Sequence, residues 1–427
     1  MATAITCAAA TSVLSADETG GSNPQLGPIL GHTEHDRCVI WMRVTKPGSY
    51  VLELAPESGG DAIRIEENAT EEMDLCLHWK AQGLKPGTRY RYRIMSDGKP
   101  LKEETAQSFT TPSAPDKPAK IRFAMSSCAL EDAASRSVWT RIAEEKVDAV
   151  MLIGDTPYID STKLEVQTQR HREFAAVPEY QALLESRPCW WTWDDHDFAA
   201  NNSDGRVTGK ENSRTAYCRY RPQWNHGQDG EGIHTSFRYG PVEVFMIDAR
   251  WFSRTGPSHA DPSQPTLLGG KQWEWLKEGL KASDAPFKIL ACGMIWDRKS
   301  NKETDDWGTY SHEREALEKW IAEHRIPGVI LMGGDIHASR VLRYKETKKT
   351  VGYEMVQFIA SPIHHKVIPT LNAYHPDLVR SAVEPNVFLM VDVDSTVTPA
   401  ALHAELVNRH GERVFTYSLT LDDLTPA

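Results

Sequence analysis

The sequence predicts an α/β protein in which a small all-β domain precedes a larger, layered domain. Three observations support this fold class. The first hundred or so residues carry short strand-like runs separated by turn residues, whereas the remainder alternates apolar runs with amphipathic stretches. The later apolar runs also end in polar clusters, and ligand chemistry in open α/β sheets collects beyond the carboxyl ends of the strands. We therefore expect a functional site along one rim of the larger domain.

Residues 1–26 form the first segment. They are rich in small and apolar residues and contain the sequence "LSA", which has the small residues of a signal-peptide cleavage site. No basic residue begins the segment, as it does in ordinary signal peptides. The segment is therefore either a degenerate export signal or a disordered tail, and the first alternative predicts an extracytoplasmic protein, periplasmic or secreted.

Residues 27–111 predict a small β-sandwich, because strand-like runs alternate with turns and no helical period is present. The runs are "CVIWMRV", "SYVLELA", "LCLHWKAQ", "TRYRYRIMS" and "QSFTT". Tyr90 and Tyr92 should share one face of their strand, since side chains alternate along a strand. Residues 112–120 contain three prolines and predict a stiff linker to the next domain.

Residues 121–427 predict the larger α/β domain. Amphipathic stretches such as "ASRSVWTRIAEEK" and "QWEWLKEGLKA" have helical spacing and lie between strand-like apolar runs. Those runs are "KIRFAMSSCAL", "DAVMLIGD", "PCWWTWDDHD", "VEVFMIDAR", "KILACGMIWD" and "GVILMGGDIH". Several of these apolar runs end in aspartate, cysteine or histidine. We expect one function to explain why these residues recur there.

Charge and composition exclude some classes of function. The formal net charge of -11 argues against a general affinity for nucleic acid or anionic membranes, so no stable nucleic-acid partner is expected. No segment is long and apolar enough to span a bilayer. The seven cysteines include no CxxC pair, which argues against a cysteine-rich zinc site.

Acidic residues converge on the predicted rim. Asp155 ends one apolar run, Asp195 follows another, and Asp335 lies with His337 at the end of a third. Clustered carboxylates repel one another unless they share protons or bind cations, and bound metal ions are the simpler explanation. In a strand, Asp335 and His337 would project to the same side and could face neighbouring ions.

Two further side chains bear on the identity of the metal. Oxygen ligands alone favour calcium, magnesium or manganese. Cys128 and Tyr158 also follow apolar runs, and a thiolate with a phenolate suits a more strongly acidic ion such as ferric iron. Plainer alternatives stay open, because Cys128 could be an ordinary buried thiol and Tyr158 could simply pack its ring.

Seven segments occur in one order along the chain: "SSCAL", "LIGDTPYID", "WTWDDHDFAANN", "GIHTSFRYG", "VFMIDARWFSR", "LLGGKQWEWLKEGL" and "LMGGDIHASRV". Together they resemble the PhoD-type alkaline phosphatases and phosphodiesterases, a branch of the metallophosphoesterase superfamily. The N-terminal "GPILGHTEHDRCVIWMRV" resembles the β-sandwich domain of that family, so the resemblance covers residues 27–400. It implies a metallophosphoesterase-like β-sandwich flanked by helices, preceded by a small fibronectin-like all-β domain.

The resemblance also implies a mixed metal centre of ferric iron and calcium. The iron ligands that it implies are Cys128, Asp155, Tyr158 and His337. Those on the calcium side are the bridging Asp155, Asp195, Asn201 and Asp335. Asn202 competes with Asn201 for this role, and manganese, magnesium or zinc could replace the implied ions.

The implied activity is hydrolysis of phosphate esters by a metal-activated hydroxide, with Asp155 and His196 as catalytic residues and His196 as proton donor. The enzyme would be an alkaline phosphatase that cleaves monoesters, diesters or both and releases phosphate. One alternative is a phosphodiesterase of the phospholipase D or teichoic-acid-cleaving type. A second is a catalytically inactive binding or adhesion protein. His196 could also form only a structural hydrogen bond to a carboxylate.

Other residues near the rim have structural interpretations. Asp194 and Asp197 are expected to cap or support the site, and Arg250 to pair with an acid. His364 and His365 are left out of the site, because adjacent residues of a strand point in opposite directions. Five tryptophans are expected to pack along the rim: Trp190, Trp191, Trp193, Trp251 and Trp296.

Overall fold

The computed structural model describes residues 24–101 and 107–426. The predicted export signal or tail lies outside the described residues as far as residue 23, so an extracytoplasmic location stays a prediction. Within the described ranges, no helix is both long enough and apolar enough to cross a membrane.

The described N-terminal residues form strands and no α-helix, which confirms the all-β prediction. The strands are β1 (Leu26–Thr33), β2 (Arg37–Arg43), β3 (Gly48–Pro56), β4 (Ile63–Ala69), β5 (Cys76–Gln82), β6 (Arg89–Ser96), β7 (Lys99–Pro100) and β8 (Gln107–Thr110). One sheet has the order β1-β2-β5, and the other has the order β4-β3-β6-β7 with β8 paired to β6. The sequence analysis missed β1, β4 and β7.

Alternation along β6 shows how this small domain is held together. Its arginines are exposed, whereas Tyr90, Tyr92 and Ile94 are buried, which confirms that the two tyrosines share a face. They belong to the same core as Leu52 and Trp79 from other strands. Burial of each such side chain stabilises the fold by about 1.5–3 kcal/mol before the entropy cost of folding.

The larger domain consists of mixed sheets and helices. Its strands are β9 (Lys120–Ser126), β10 (Ala149–Ile153), β11 (Cys189–Thr192), β12 (Thr235–Tyr239), β13 (Val242–Met246), β14 (Phe287–Ala291), β15 (Val329–Gly333), β16 (Ser339–Tyr344), β17 (Met355–Ile359), β18 (Leu378–Ala382), β19 (Val387–Asp394), β20 (Ala401–Asn408) and β21 (Arg413–Thr420). Its helices are α1 (Ala133–Glu144), α2 (Leu164–Ala175), α3 (Pro178–Leu184), α4 (Asp195–Phe198), α5 (Lys210–Tyr220), α6 (Gly269–Ala282), α7 (Ser311–Glu323) and α8 (Thr347–Thr350).

Two sheets enclose the main core of this domain. One has the order β11-β10-β9-β19-β20-β21, and the other has the order β12-β13-β14-β15-β17-β16-β18. Strands β9, β10 and β11 are parallel to one another, and so are β13, β14, β15 and β17. Apolar side chains of both sheets share one core, including Phe123, Met151, Ile289, Leu331 and Leu389. This architecture confirms the predicted layered α/β domain.

The N-terminal strands contact the larger domain directly. The backbone N–H of His32 donates to the carbonyl oxygen of Pro222 at 2.8 Å, and the indole of Trp190 donates to Nδ1 of His32 at 3.3 Å. The predicted linker, residues 112–120, lies between β8 and β9, and its last residue begins β9. The domain boundaries themselves stay predictions.

Candidate metal centre

Four loops that follow parallel strands meet at one rim. Cys128 lies two residues beyond β9, Asp155 two beyond β10 and Asp195 three beyond β11. Asp335 lies two residues beyond β15, on the other sheet. The first three are buried, and the side chain of Asp335 is 13% exposed. Both sheets therefore contribute to the rim, where Sγ of Cys128 lies 3.9 Å from the backbone oxygen of Asp335.

The backbone at this rim is unusual. Four non-glycine residues have a positive φ: Cys128 (59°), Asp155 (53°), Asp335 (67°) and His337 (49°). Such residues rarely adopt this conformation, and the strain is found at functional sites where the surrounding structure enforces it. Because β15 ends at Gly333, the prediction that Asp335 and His337 project to the same side of a strand is wrong. Left-handed turns, rather than a strand, set the directions of these two side chains.

The first group of donor atoms surrounds Cys128. Its Sγ is 3.4 Å from Oδ2 of Asp155, and Nε2 of His337 is 3.0 Å from the hydroxyl oxygen of Tyr158. Donor atoms of Cys128, Asp155 and His337 lie within 4.8 Å of one another. A metal ion with bonds of about 2.0–2.3 Å holds neighbouring ligand atoms roughly 3–4 Å apart. Cys128, Asp155 and His337 are thus close enough to share one ion, and the Tyr158 hydroxyl lies beside His337.

The second group shares Asp155 with the first. Donor atoms of Asp155, Asp195 and His196 lie within 4.8 Å of one another. The backbone N–H of His196 donates to Oδ1 of Asp195 at 3.0 Å, and that of Asn202 donates to Oδ2 of Asp195 at 2.6 Å. Asn201 is exposed on the same loop, and its role as a ligand stays a prediction.

The buried carboxylates cannot all carry a charge without cations. Burial and the charge of Asp195 raise the pKa of Asp155 well above its usual range. Burial, offset only in part by Lys299, raises the pKa of Asp335 to about 7. Burial also opposes ionisation of Asp195, but the charge of Arg250 lowers its pKa to about 2. Bound metal ions would remove the remaining repulsion between these carboxylates.

The donor set fits a metal cofactor. Burial lowers the pKa of His337 to about 4, so its imidazole is neutral near pH 7, as a metal ligand must be. Nδ1 of His337 has no hydrogen-bond partner in the part of the chain that the structure describes. Burial raises the pKa of the Cys128 thiol and of the Tyr158 phenol, and a cation beside them would favour their anions. A metal ion at this rim would suit the neutral imidazole and favour the anions of Cys128 and Tyr158.

His196 lies beside the two groups. Its Nδ1 is 2.6 Å from Oδ1 of Asp160, and its ring centroid is 4.5 Å from that of Tyr158. Burial opposes its protonation, but the carboxylates of Asp160 and Asp155 raise its pKa to about 10. The ring is therefore an imidazolium near pH 7, held in orientation by Asp160 and 21% exposed.

Asp194 and Asp197 have the structural roles suggested by the sequence. Oδ1 of Asp197 accepts a hydrogen bond from the backbone N–H of Asp194 at the start of α4, at 2.5 Å. Oδ1 of Asp194 accepts a 2.6 Å bond from Nε of Arg250, whose side chain is fully buried. The expectations of a capping group, a supporting acid and an arginine paired with an acid are confirmed.

Two protein-family models match this chain. The PhoD-like phosphatase family matches residues 123–397, and its N-terminal domain family matches residues 8–112. The chain belongs to the PhoD-like phosphatase family. It is 26% identical over 326 residues to alkaline phosphatase D of Bacillus subtilis (strain 168), a match that covers 64% of this chain and 55% of that protein. The chain thus spans little more than half the length of this relative.

Two solved structures share the fold of this PhoD-like phosphatase. A structure of PhoD has a TM-score of 0.72 at 18% identity, covering 93% of both chains. A purple acid phosphatase from yellow lupin (Lupinus luteus) seeds has a TM-score of 0.68 at 14% identity. The match covers 93% of this chain and 74% of the lupin chain. These likenesses confirm the predicted fold class.

His364 lies beside the candidate ligands, although it was not predicted from the sequence. Its Nε2 is 3.0 Å from the hydroxyl oxygen of Tyr158, and its ring centroid is 4.6 Å from that of His337. The backbone N–H of Lys366 donates to its Nδ1, so Nε2 carries the proton of the neutral ring. His364 lies in a bend after β17, so the strand argument that excluded it did not apply. A signal was available, because the apolar run "MVQFIA" ends in "SPIHH" as other rim strands end in polar clusters.

The five tryptophans of the rim are all buried, which confirms the packing role expected of them. Trp190 stacks on Phe237 with ring centroids 3.7 Å apart, and Trp296 stacks on Trp307 at 4.1 Å. Aromatic stacking of this kind stabilises the packing of the buried rings.

Proposed function

We propose that this PhoD-like phosphatase hydrolyses phosphate esters in a metal-dependent reaction and releases phosphate. The observation that carries the proposal is Asp155, whose carboxylate lies within 4.8 Å of donor atoms of Cys128 and His337 on one side and of Asp195 on the other. Paired ions of this kind stabilise the attacking and leaving oxygens of an in-line displacement at phosphorus. Family membership and the name of the relative, alkaline phosphatase D, support the same activity.

The finer part of the proposal is the identity of the ions. We assign ferric iron to Cys128, Asp155, Tyr158 and His337. We assign calcium to Asp155, Asp195, Asn201 and Asp335. Thiolate and phenolate ligands suit ferric iron, and carboxylate and amide oxygens suit calcium, with manganese, magnesium or zinc as the alternatives. When bound, the ions would supply a nucleophile of lowered pKa and neutralise charge on the phosphoryl oxygens.

His196 is proposed to protonate the departing alkoxide. Its Nδ1 faces Asp160, so its Nε2 carries the proton available to the substrate. Proton transfer by a positioned side chain contributes typically about 100- to 10,000-fold to the rate. A leaving group of high pKa depends on this proton more than an acidic phenol does.

Asp160→Asn is expected to lower kcat for an alkyl phosphate roughly 10- to 100-fold, because the imidazole loses the carboxylate that orients it. The loss for a nitrophenyl phosphate should be smaller, since that leaving group departs with less help. Steady-state kinetics on both substrates and metal analysis of the variant are the measurements. Asp261→Asn, an exposed loop carboxylate bonded to Ser263, is the matched control. Equal losses on both substrates would contradict the role of His196 as proton donor.

Elemental analysis of the dialysed protein, with its visible spectrum, tests the assigned ions. Stoichiometric iron and calcium with a violet phenolate-to-iron absorption would support the assignment. Zinc, manganese or magnesium without iron would overturn the assignment of ferric iron. Absence of bound metal, with no turnover after ions are added, would reject the proposed function and favour a binding protein.

Cys128→Ser is expected to lower iron content and turnover together, by at least roughly tenfold, because one ligand is lost from a rigid loop. The fold should be retained, as judged by circular dichroism. Cys218→Ser, which alters a free and partly buried thiol on α5, is the control and should change neither quantity. Unchanged iron content in the Cys128 variant would remove this thiol from the centre.

One comparison distinguishes a preference for phosphate monoesters from a preference for phosphate diesters. Turnover of an aryl phosphate and of its bis-ester, measured on the same metal-loaded preparation, distinguishes a monoesterase from a diesterase. Preference for the bis-ester would favour a phosphodiesterase of the phospholipase D or teichoic-acid-cleaving type.

A further inference from the structure

A buried ammonium group lies among three carboxylates beside the candidate centre. Nζ of Lys299 is 2.6 Å from Oδ2 of Asp335, 2.9 Å from Oδ1 of Asp305 and 3.3 Å from Oε2 of Glu303. The side chain of Lys299 is 1% exposed. Asp335 is the member of this group that also belongs to the predicted metal ligands.

Neighbouring groups fix the ammonium in place. The backbone N–H of Lys299 donates to Oδ2 of Asp306 at 2.7 Å. The second oxygen of Asp305 is 3.2 Å from Nη2 of Arg250, so this carboxylate lies between two buried cations. The arrangement is a built network and not a chance surface contact, because three of its five charged side chains, Lys299, Asp305 and Arg250, are 6% exposed or less.

The groups around Lys299 are typical of a cation-binding site. They do not allow its ammonium to contact the substrate. At 1% exposure its ammonium is closed off from a phosphate ester that approaches the rim from solvent. Carboxylate oxygens gathered around one point are the ligands that calcium takes in proteins. A lysine ammonium is a compact point charge and can occupy such a point.

We propose that Lys299 is an internal cation standing in for a metal ion: it holds the carboxylate of Asp335 in position and prevents a further divalent ion from binding between Asp335 and Asp305. The inference rests on the proposed function, since it concerns the same metal centre. Lys299 is a positioning residue, because it acts through Asp335 and does not touch the substrate. Glu303, whose side chain is 31% exposed, offers the route by which an ion would enter if the ammonium were absent.

Lys299→Ala tests this inference through metal content. After equilibrium dialysis against calcium, we expect the variant to hold one more calcium ion per chain than the wild type. Without calcium, we also expect the midpoint of thermal unfolding to be lower for the variant than for the wild type. Added calcium should restore the midpoint of the variant. Lys302→Ala, which alters an exposed lysine of the same loop, is the control and should match the wild type in both measurements.

Two more variants keep the test decisive. Lys299→Ser, whose hydroxyl adds an oxygen ligand, should bind the same additional ion if the alanine variant fails to fold. Lys299→Ala combined with Asp305→Asn should lose that ion, since one carboxylate of the site is neutralised. A calcium count equal to or below that of the wild type in both Lys299 variants overturns the inference. If the wild type itself binds no metal and turns over no phosphate ester, the proposed function and the inference about Lys299 are both rejected.

Discussion

Asp155→Asn is expected to lower kcat/KM for an aryl phosphate by roughly 10,000-fold, equivalent to about 5.5 kcal/mol of transition-state stabilisation. The reason is that the Asp155 carboxylate belongs to both candidate metal groups. Asparagine keeps the size of the side chain and its polarity but removes the negative charge that two cations would share. We therefore expect the content of both ions to fall along with activity.

Metal analysis and kinetics on the same preparation measure this effect. Asp392→Asn is the control, because Asp392 forms an ion pair with Arg122 at the far end of β9 from the rim. Its activity should stay within roughly twofold of the wild type, as expected for a surface pair. Full activity and full metal content in the Asp155 variant would contradict the proposed centre. Loss of a single ion would confine Asp155 to one of the two groups.

The location of the site could be predicted from the sequence because it depends on a rule about strands. Runs that are apolar along their whole length, such as β10 and β15, predicted strands buried on both faces. The acids that follow them lie within three residues of the strand ends, as the carboxyl-end rule requires. Cys128, Asp155, Asp195 and Asp335 were therefore found without any knowledge of distant contacts.

Some strands gave no usable pattern. β1 is completely buried, yet it contains Gly27 and Pro28, residues that argue against a strand when only the sequence is known. β4 has polar residues at most positions, and its burial alternates between intermediate and exposed until Ala69, its one buried residue. Pairing with β3 makes it a strand, and that pairing is a tertiary contact.

Geometry within the site could not be predicted for a similar reason. The left-handed conformation of Asp335 and His337 is imposed by the loops around them and has no sequence signature in non-glycine residues. Lys299 lies in "DRKSNKETDD", a composition typical of an exposed loop. Its burial depends on Asp305 and Asp335 meeting around its ammonium, and these acids come from separate parts of the chain.

Arg250→Met is expected to lower the free energy of unfolding by about 3–5 kcal/mol, because removing one partner of a buried ion pair leaves the other charge uncompensated. The Arg250 side chain is fully buried and pairs with Asp194 and Asp305. Methionine fills similar space without charge, so lost packing should contribute little. Urea unfolding of the metal-depleted proteins is the measurement, since bound metal would itself stabilise the folded state.

A control and a double variant separate charge from packing. Arg254→Met removes a guanidinium whose side chain is 28% exposed and that bonds to Tyr310, and it should cost less than about 1 kcal/mol. Arg250→Met combined with Asp194→Asn should recover part of the lost stability, because replacing both partners of a buried pair costs less than removing one. If the double variant is no more stable than Arg250→Met alone, the loss comes from packing and not from an orphaned carboxylate. In that case the ion pair between Arg250 and Asp194 would contribute little to the stability of the fold.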